Sequence, residues 1–283
     1  MIGVTGGKGG TGKSTIATSL AYYLSQNHKV LLVDADVDCP NDHLLLKPSL
    51  IRKKEVLSFI PNFDLEKCTY CGLCSQNCRE HAIIVVKQSR KLLFFPEQCN
   101  GCKTCLFVCP EKAISTGKQV VGEIRDYKVT KNLMLKSGFL KPGVEETSIV
   151  VSELMKDVMI EKDNYDFVIV DTAAGTHCNV TKALYHVDKI LIITEPTPLG
   201  LNDLKLIIKV IKEMNKFEDV KIVINKAGLS DEYEDKITQF GEDNNIKVLS
   251  RIGYNKEIIE KYVSSEPIIN PSIGRIGEYY EGL

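Results

Sequence analysis

Most of the cysteines in this 283-residue chain fall into two runs of identical spacing. Each run reads Cys-x-x-Cys-x-x-Cys-x-x-x-Cys, one beginning at Cys68 and the other at Cys99. Three closely spaced thiolates can hold one [4Fe–4S] cluster while the fourth cysteine of each run crosses to the other cluster. The spacing therefore predicts one cluster on Cys68, Cys71, Cys74 and Cys109, and a second on Cys99, Cys102, Cys105 and Cys78.

The two runs are parts of an internal repeat. An offset of 31 residues relates the cysteines and also relates Glu80-His81-Ala82-Ile83 to Glu111-Lys112-Ala113-Ile114. The repeat resembles the bacterial ferredoxin with two [4Fe–4S] clusters, including the proline that follows Cys109. Arg79 takes the place of that proline in the first copy, which relaxes the turn but leaves the ligand set whole.

Zinc is the alternative occupant of these thiolates, because four cysteines also bind Zn²⁺. Zinc sites usually pair two separated Cys-x-x-Cys units, however, and not runs of four. A disulfide scaffold is disfavoured because the N-terminus does not read as a secretory signal and a chain of this length needs no covalent staples. Iron–sulfur chemistry is therefore the prediction.

A second segment has the residue types of a phosphate-binding loop. Gly7-Lys8-Gly9-Gly10-Thr11-Gly12-Lys13-Ser14 follows a predicted strand and opens a predicted helix. Glycines let backbone N–H groups face phosphate oxygens, and the helix N-terminus adds its positive dipole end. We expect Lys13 to contact the β- and γ-phosphates and Ser14 to bind Mg²⁺. The alternative is a glycine turn before a solvated helix. Such a turn would not require a strand directly before the loop and a helix directly after it.

The stretch from Lys8 to Thr15 resembles the deviant P-loop of the ATPase family that includes MinD, ParA and the nitrogenase iron protein. In that family the early lysine reaches across a nucleotide-sandwich dimer to the partner's phosphates. The resemblance implies that Lys8 acts in a dimer, with an identical or a related chain. A solvated loop lysine is the alternative. The resemblance covers about residues 1–50 and 140–283.

Four more positions carry the resemblance and take their roles from it. In the first switch, Asp36, in Val33-Asp34-Ala35-Asp36, matches the aspartate that positions the attacking water. In the second switch, Asp171 matches the aspartate that holds Mg²⁺ through water, and Gly175 the glycine that senses the γ-phosphate. Asn225 matches the adenine-reading asparagine, although a turn role is the alternative. Taken alone, strand-end aspartates are as often helix caps as catalysts.

The glycine loop and the resemblance together predict catalytic roles for three residues and two overlapping sets of binding residues. Catalysis falls to Lys8, Lys13 and Asp36; magnesium to Ser14 and Asp171; ATP to Gly7, Gly9, Gly10, Thr11, Gly12, Lys13, Ser14, Thr15, Gly175 and Asn225. Asp38 and Asp42 crowd the first switch, with Asp38 an additional magnesium-side candidate. Cys39 and Cys178 are expected to be buried structural thiols, with a cluster bridge between subunits the alternative for Cys178. Glu195-Pro-Thr-Pro-Leu-Gly200 looks like another family feature, without an assigned role.

Short apolar strands alternate with helical patterns before and after the cysteine region. This alternation predicts an α/β fold, a doubly wound parallel sheet, interrupted by a small α+β ferredoxin-like domain. We place the P-loop ATPase domain at 1–58 and 117–283 and the inserted two-cluster domain at 59–116. The segment from Val120 to Pro142 sustains neither periodicity and is interpreted as the return path to the main domain.

Composition narrows the function classes. The chain has 36 basic and 37 acidic residues, a formal net charge of −1, and no basic stripe, so nucleic acid is not an expected partner. Its longest apolar runs are far shorter than a membrane span requires, and the segment from Pro271 to Leu283 lacks a basic amphipathic helix. A cytoplasmic protein without membrane contact is expected.

ATP binding and two low-potential clusters on one chain predict a nucleotide-dependent dimer that gates electron transfer. Mg·ATP would close the dimer through Lys8 and order both switches, and hydrolysis using Asp36 would reset it. One alternative is an ATPase that assembles or carries iron–sulfur clusters. Another is a non-catalytic, redox-sensing nucleotide switch. The expected partners are a second identical or related chain and a redox or cluster-accepting protein.

Overall fold

The computed structural model describes residues 1–254 and 256–282. In chain order the strands of this part of the chain are β1 (Ile2–Thr5), β2 (Val30–Asp34), β3 (Ser49–Phe63), β4 (Ile83–Val86), β5 (Lys91–Phe94), β6 (Ile114–Lys128), β7 (Leu133–Leu140), β8 (Phe167–Asp171), β9 (Lys189–Thr194), β10 (Val220–Ala227) and β11 (Lys247–Gly253). Strands β4 and β5 pair as a small separate hairpin. The others form one sheet in the order β11-β10-β9-β1-β8-β2-β7-β6-β3.

The sheet is parallel except at one strand. Strand β6 runs antiparallel to both of its neighbours, β7 and β3, whereas the strands from β11 to β7 pair in parallel. The central strands are short and rich in Val, Ile and Leu, and β1 and β2 are buried along their whole length. Strands covered on both faces need this composition. The predicted α/β sheet is confirmed.

Helices cover both faces of the sheet. They are α1 (Lys13–Leu24), α2 (Asp42–Leu46), α3 (Leu73–Gln76), α4 (Thr104–Phe107), α5 (Thr147–Glu161), α6 (Cys178–Leu184), α7 (Pro198–Glu213), α8 (Asp231–Asp243), α9 (Lys256–Ser264) and α10 (Pro271–Glu281). One apolar core lies under α5 to α8, and a second lies under α1 and α10. The apolar face of α7 is buried at Leu204, Ile207, Ile208 and Ile211. Within the described residues, no helix is both long and apolar enough to cross a bilayer.

The segment interpreted as a return path is instead part of the sheet. Its first half completes β6 and its second half forms β7, which pairs with β2. The apolar pattern is broken because β7 buries Lys136 and Ser137 in its interior. The Lys136 ammonium pairs with Asp126 on β6 and, at 3.0 Å, with Glu161. A buried charge is tolerated when it is paired in this way, and here it hides the strand from a periodicity argument.

Strands β3 and β6 form a long antiparallel ribbon that carries the cysteine region. The pairing ends at Phe63 and Ile114, beyond the proposed domain limits of 59 and 116. The chain between these two residues has a small apolar core of its own, which includes Cys74, Ile83 and Cys105. Helices α3 and α4 start 31 residues apart, each after a residue with positive φ. The sequence repeat is therefore also a repeat of local structure.

Candidate functional site

The glycine loop lies between the end of β1 and the start of α1. Gly10 and Gly12 have φ angles of 79° and 91°, a region that glycine enters at little cost. A Cβ on Gly12 would lie 2.3 Å from Nδ2 of Asn225, so a larger residue does not fit. Asn225 Nδ2 donates to the Thr11 carbonyl at 2.7 Å. The end of β10 thus fixes the loop just before the helix begins.

Lys13 is the first residue of α1 and is buried. Its Nζ donates to the Lys8 carbonyl oxygen at 3.0 Å. Burial lowers the pKa of Lys13, and the nearby carboxylates of Asp171 and Asp36 oppose that shift. The ammonium therefore lies between the glycine loop and a group of acidic side chains.

Three carboxyl groups converge beneath this lysine. One oxygen each of Asp34, Asp42 and Asp171 lies within 4.8 Å of the others, and all three residues are buried. Asp34 accepts hydrogen bonds from the backbone N–H groups of Asp36 and Asp42, both at 3.2 Å. The carboxyl oxygens of Asp42 and Asp171 have no well-formed hydrogen bond to any described residue. Buried carboxylates without partners are costly, so the cluster calls for a cation.

Burial raises the pKa of all three carboxyl groups, and the charge of a neighbouring aspartate adds to each shift. For Asp171 that neighbour is Asp36. For Asp171 the pKa rises to about 7, although nearby Ser14 and Lys13 lower it. Oxygen donors next to a serine hydroxyl are the chemistry that Mg²⁺ prefers. The donor set therefore fits Mg²⁺, with Asp34 and Asp42 joining the predicted pair, Ser14 and Asp171.

Sequence reasoning missed the role of Asp34 and treated Asp42 only as crowding. The signal was present in part, because Asp34 and Asp171 end neighbouring parallel strands and are register partners. This signal could be used only once the order of the strands in the sheet was known. Asp38, the additional magnesium-side candidate, is exposed and lies outside the cluster.

The residues of the two predicted switches lie against the glycine loop. Asp36 is half-buried; burial raises the pKa of its carboxyl and the charge of Lys13 lowers it. Gly175, with a φ of 93°, donates its N–H to the Gly6 carbonyl at 3.3 Å. A γ-phosphate at the loop would therefore have both segments within reach.

A cavity of about 310 Å³ opens beside the loop on the side of α10. Its lining includes Gly12, Thr15, Asn225 and the exposed ring of Tyr254. A mainly apolar cavity with a few polar groups is typical of a small-ligand site. Its size and its amide side chain suit a nucleotide base.

Lys8 is ion-paired within its own chain. Its Nζ lies 2.6 Å from Oε1 of Glu195, and Nζ of Lys226 lies 2.8 Å from Oε2 of the same carboxylate. Lys226 also donates to the Gly10 carbonyl at 2.9 Å. The role of Glu195 was not recognised from the sequence, because burial and these two contacts depend on the tertiary fold.

The repeated cysteines line two cavities in the described residues. Cys68, Cys71, Cys74 and Cys109 line one, and Cys78, Cys99, Cys102 and Cys105 line the other, so each combines three cysteines of one repeat with one of the other. All eight are free thiols. Burial raises the pKa of Cys105 to about 11, and charged neighbours such as Cys99 add to the shift. Four crowded thiols per cavity fit a cationic metal centre.

Cys39 and Cys178 are both exposed, so the expectation of buried structural thiols is wrong. Cys39 lies on the loop between Asp36 and α2, and Cys178 is the first residue of α6. Both follow switch segments that face the glycine loop, where packing does not cover them.

A strand, a glycine-rich loop and a helix beside a buried carboxylate cluster define a P-loop nucleotide-binding protein. Residues 2–268 match the model of the CobQ/CobB/MinD/ParA nucleotide binding domain. The chain therefore belongs to this family and is an ATP-binding protein of the MinD/ParA type.

Relatives and solved structures agree with this assignment. An uncharacterized protein of Methanocaldococcus jannaschii is 37% identical over 270 residues, which is 95% of this chain and 91% of the relative. The iron-sulfur cluster carrier protein of Aquifex aeolicus is 25% identical over 287 residues, covering 95% of this chain and 61% of the relative. Septum site-determining protein MinD of Pyrococcus horikoshii, complexed with Mg-ADP, superposes with a TM-score of 0.60 at 18% identity, covering 99% and 95% of the two chains.

Proposed function

We propose that this protein is a Mg²⁺-dependent ATPase whose nucleotide-dependent dimer gates one-electron transfer through two [4Fe–4S] clusters. The observation that carries the proposal is the pairing of cysteines across the repeat, four around each cavity. This is the ligand exchange expected of a two-cluster module. The module belongs to the same chain as the nucleotide site and is attached to the same sheet.

The chain's own residues would bind the clusters through all four thiolates. Each cluster would supply a one-electron redox couple. With four cysteines at each cavity, every iron of a bound cluster would have a protein ligand. No coordination position would be left for a substrate. The second cavity of about 420 Å³ also contacts Phe59 on the ribbon, so cluster environment and ribbon position are linked.

At the nucleotide site each predicted residue has a proposed task. The glycine loop from Gly7 to Gly12 and Lys13 would hold the phosphates, and Ser14 and Asp171 the magnesium ion. Asp36 would orient the attacking water and Gly175 would sense the γ-phosphate. Thr15 and Asn225 would contact the rest of the nucleotide, and Lys8 the partner's phosphates.

Contacts of the first switch with β6 and β7 support coupling. The Val37 carbonyl accepts a hydrogen bond from the Leu140 N–H at 2.9 Å. The His43 ring lies 6.1 Å from the Tyr127 ring and 5.3 Å from the Phe139 ring, measured between centroids. A movement of the segment between Asp36 and His43 would therefore displace the strands that carry the cysteine module.

The test is electron paramagnetic resonance on the full chain, purified without oxygen and reduced with dithionite. We expect about eight iron atoms per chain and a cluster signal that changes when Mg·ATP is added. Lys13→Ala is the control and is expected to keep the iron and lose the response to Mg·ATP. Zinc in place of iron, or a signal indifferent to the nucleotide in the wild type, would contradict the proposal.

Cluster assembly or carriage is the second candidate function. It is favoured by the similarity, across nearly the whole of this chain, to the Aquifex aeolicus iron-sulfur cluster carrier protein. In this case iron and sulfide should pass from the loaded protein to an apo-ferredoxin at a rate that depends on Mg·ATP. Retention of both clusters over many ATP turnovers would favour the electron-transfer function instead.

A further inference from the structure

Glu195 is a buried charged contact of the glycine loop. It follows β9 directly, is only 6% exposed, and has one carboxylate oxygen on Lys8 and the other on Lys226. Burial on its own raises the pKa of a carboxyl group, but hydrogen bonds from Lys226 and Lys8 hold the pKa of Glu195 below its usual value. The carboxylate is therefore charged and shared between two cations.

The backbone that holds Glu195 is tightly fixed. Thr197 donates its N–H to the Glu195 carbonyl at 2.8 Å, and Thr194 Oγ1 donates to the Gly200 carbonyl at 2.9 Å. A Cβ on Gly200 would lie 2.1 Å from the Glu195 carbonyl oxygen, so the turn into α7 is closely packed. Glu195 thus stays in place when its partners move.

Lys8, in contrast, lies on the part of the loop with room to move. Its side chain is 31% exposed, and the next two residues are glycines. A Cβ built on Gly9 or Gly10 meets no described atom within 4 Å. Of the two ends of this ion pair, the lysine is the one that can leave.

Because Lys226 also pairs with Glu195, Lys8 can leave without the Glu195 carboxylate becoming a buried, unpaired charge. An unpaired buried carboxylate is costly, but Glu195 would still be paired with Lys226 at 2.8 Å. Two lysines on one carboxylate form a contact that can exchange.

We infer that Glu195 is a positioning residue that retains Lys8 in its own subunit, and that phosphates bound to a second copy of this chain compete with Glu195 for that lysine. The inference rests on the proposed function only in that it takes Lys8 to contact the partner's nucleotide. The inference adds a condition for dimerisation: the dimer forms when the partner's phosphates attract Lys8 more strongly than Glu195 does. Glu195 would therefore set the protein and nucleotide concentrations at which two subunits associate.

The first experiment measures the position of Lys8 in the monomer, without any nucleotide. The full chain, purified without oxygen, is acetylated with an N-hydroxysuccinimide ester, and the rate at Lys8 is compared with that at the exposed Lys209 by peptide mass spectrometry. Glu195→Gln should accelerate acetylation of Lys8 by about threefold to tenfold, because the neutral amide holds an ammonium weakly. An unchanged ratio in this variant overturns the inference.

The second experiment measures dimerisation by sedimentation velocity with saturating Mg²⁺ and the ATP analogue AMPPNP. Glu195→Gln should dimerise at about tenfold lower protein concentration than the wild type, since release of Lys8 no longer opposes association. Glu195→Asp keeps the charge but shortens the side chain, and should fall between them. Glu213→Gln, the same charge change on the exposed end of α7, should behave as the wild type.

Two further results separate the inference from the proposed function. Lys8→Ala should abolish the AMPPNP-dependent dimer; if it dimerises normally, the proposed role of Lys8 fails while the acetylation result still stands. If Lys8→Ala abolishes the dimer and Glu195→Gln dimerises as the wild type or more weakly, the retention of Lys8 by Glu195 is wrong. Urea unfolding of each variant shows whether a loss of dimer comes from a loss of folding.

Discussion

Asp34, Asp42 and Asp171 illustrate how much a buried site depends on one counter-charge. Their carboxyl groups lie within 4.8 Å of each other, out of contact with water. Like charges this close raise one another's pKa, so in the absence of a cation at least one of them is expected to hold a proton near neutral pH. The amount by which the carboxylate cluster lowers the free energy of unfolding therefore depends on pH and on Mg²⁺.

Asp171→Asn should stabilise the magnesium-free protein in alkaline solution. The folded pKa of Asp171 is about 7, above its unfolded value. Its contribution to stability is therefore present at low pH and lost as pH rises through 7. In EDTA at pH 8.5 the variant should exceed the wild type by about 1–3 kcal/mol in free energy of unfolding. Urea titration at pH 6 should show a smaller gap; an equal gap at both values would refute the assignment.

A pair of double variants tests the cysteine exchange across the repeat. If Cys71 and Cys109 ligate the same cluster, Cys71→Ser/Cys109→Ser should keep about half of the iron, because the second cluster is untouched. Cys102→Ser/Cys109→Ser should lose nearly all of it, because both clusters lose a ligand. Iron and sulfide analysis of anaerobic protein gives the answer. Cys178→Ser, which removes an exposed cysteine, is the matched control.

Residue-scale chemistry could be inferred from sequence where local spacing determines it. The glycine loop and the cysteine runs are such cases, since neighbours along the chain form the site. Glu195 and Asp42 are not, because their partners lie on other elements. Lys226 is 31 residues from Glu195 along the chain, and only the pairing of β9 with β10 brings them together.

At the scale of elements, the ribbon and β7 are what sequence analysis did not predict. Strand β7 contains a buried Lys136 that pairs with Asp126 on the neighbouring β6, so its polarity comes from a tertiary contact. Most of β3 between Ser49 and Glu55 is exposed, which removes the alternation expected of a half-buried strand. The central strands, by contrast, were predicted correctly because they are buried on both faces.

His43 should link the first switch to β6 and β7. It stacks on Tyr127 and contacts Phe139 edge-on, and each such ring contact contributes about 0.5–1.5 kcal/mol. His43→Ala should lower the free energy of unfolding by about 1–2 kcal/mol. If Mg·ATP changes the cluster spectrum as proposed, the variant should also reduce that change. Leu44→Ala, at an exposed position of the same helix, is the control. A full spectral response in His43→Ala would place the coupling elsewhere.

For the whole molecule, one continuous sheet joins the nucleotide site to the cysteine module. Strands β8 and β2 end in the carboxylate cluster, β7 lies next to β2, and the ribbon extends from β7. The α/β class and the interruption by a cysteine-rich segment could be inferred from the alternation of elements. The attachment of the cysteine-rich segment to the sheet could not be inferred from the sequence, because it depends on the antiparallel register of β6.

Removal of the cysteine module should leave the nucleotide-binding part folded. Phe63 and Ile114 are paired, so residues 64–113 can be replaced by Asn-Gly, a two-residue hairpin turn. Phe59 and Phe63 lose their cover and should be changed to Thr in the same variant. The product should bind Mg·ATP within about threefold of the full chain by calorimetry and contain no iron. Failure to fold would show that the module is part of one cooperative unit.

The two-residue period of the ribbon gives it the properties of an adjustable spacer. Inserting one residue pair into each of β3 and β6 would move the cysteine-bearing end of the ribbon outward by about 7 Å and keep the same side facing the helices. A single residue in each strand would turn that end over, so that the opposite side faced them. In proteins of this architecture, insertions in the two strands should therefore come in matched, even numbers.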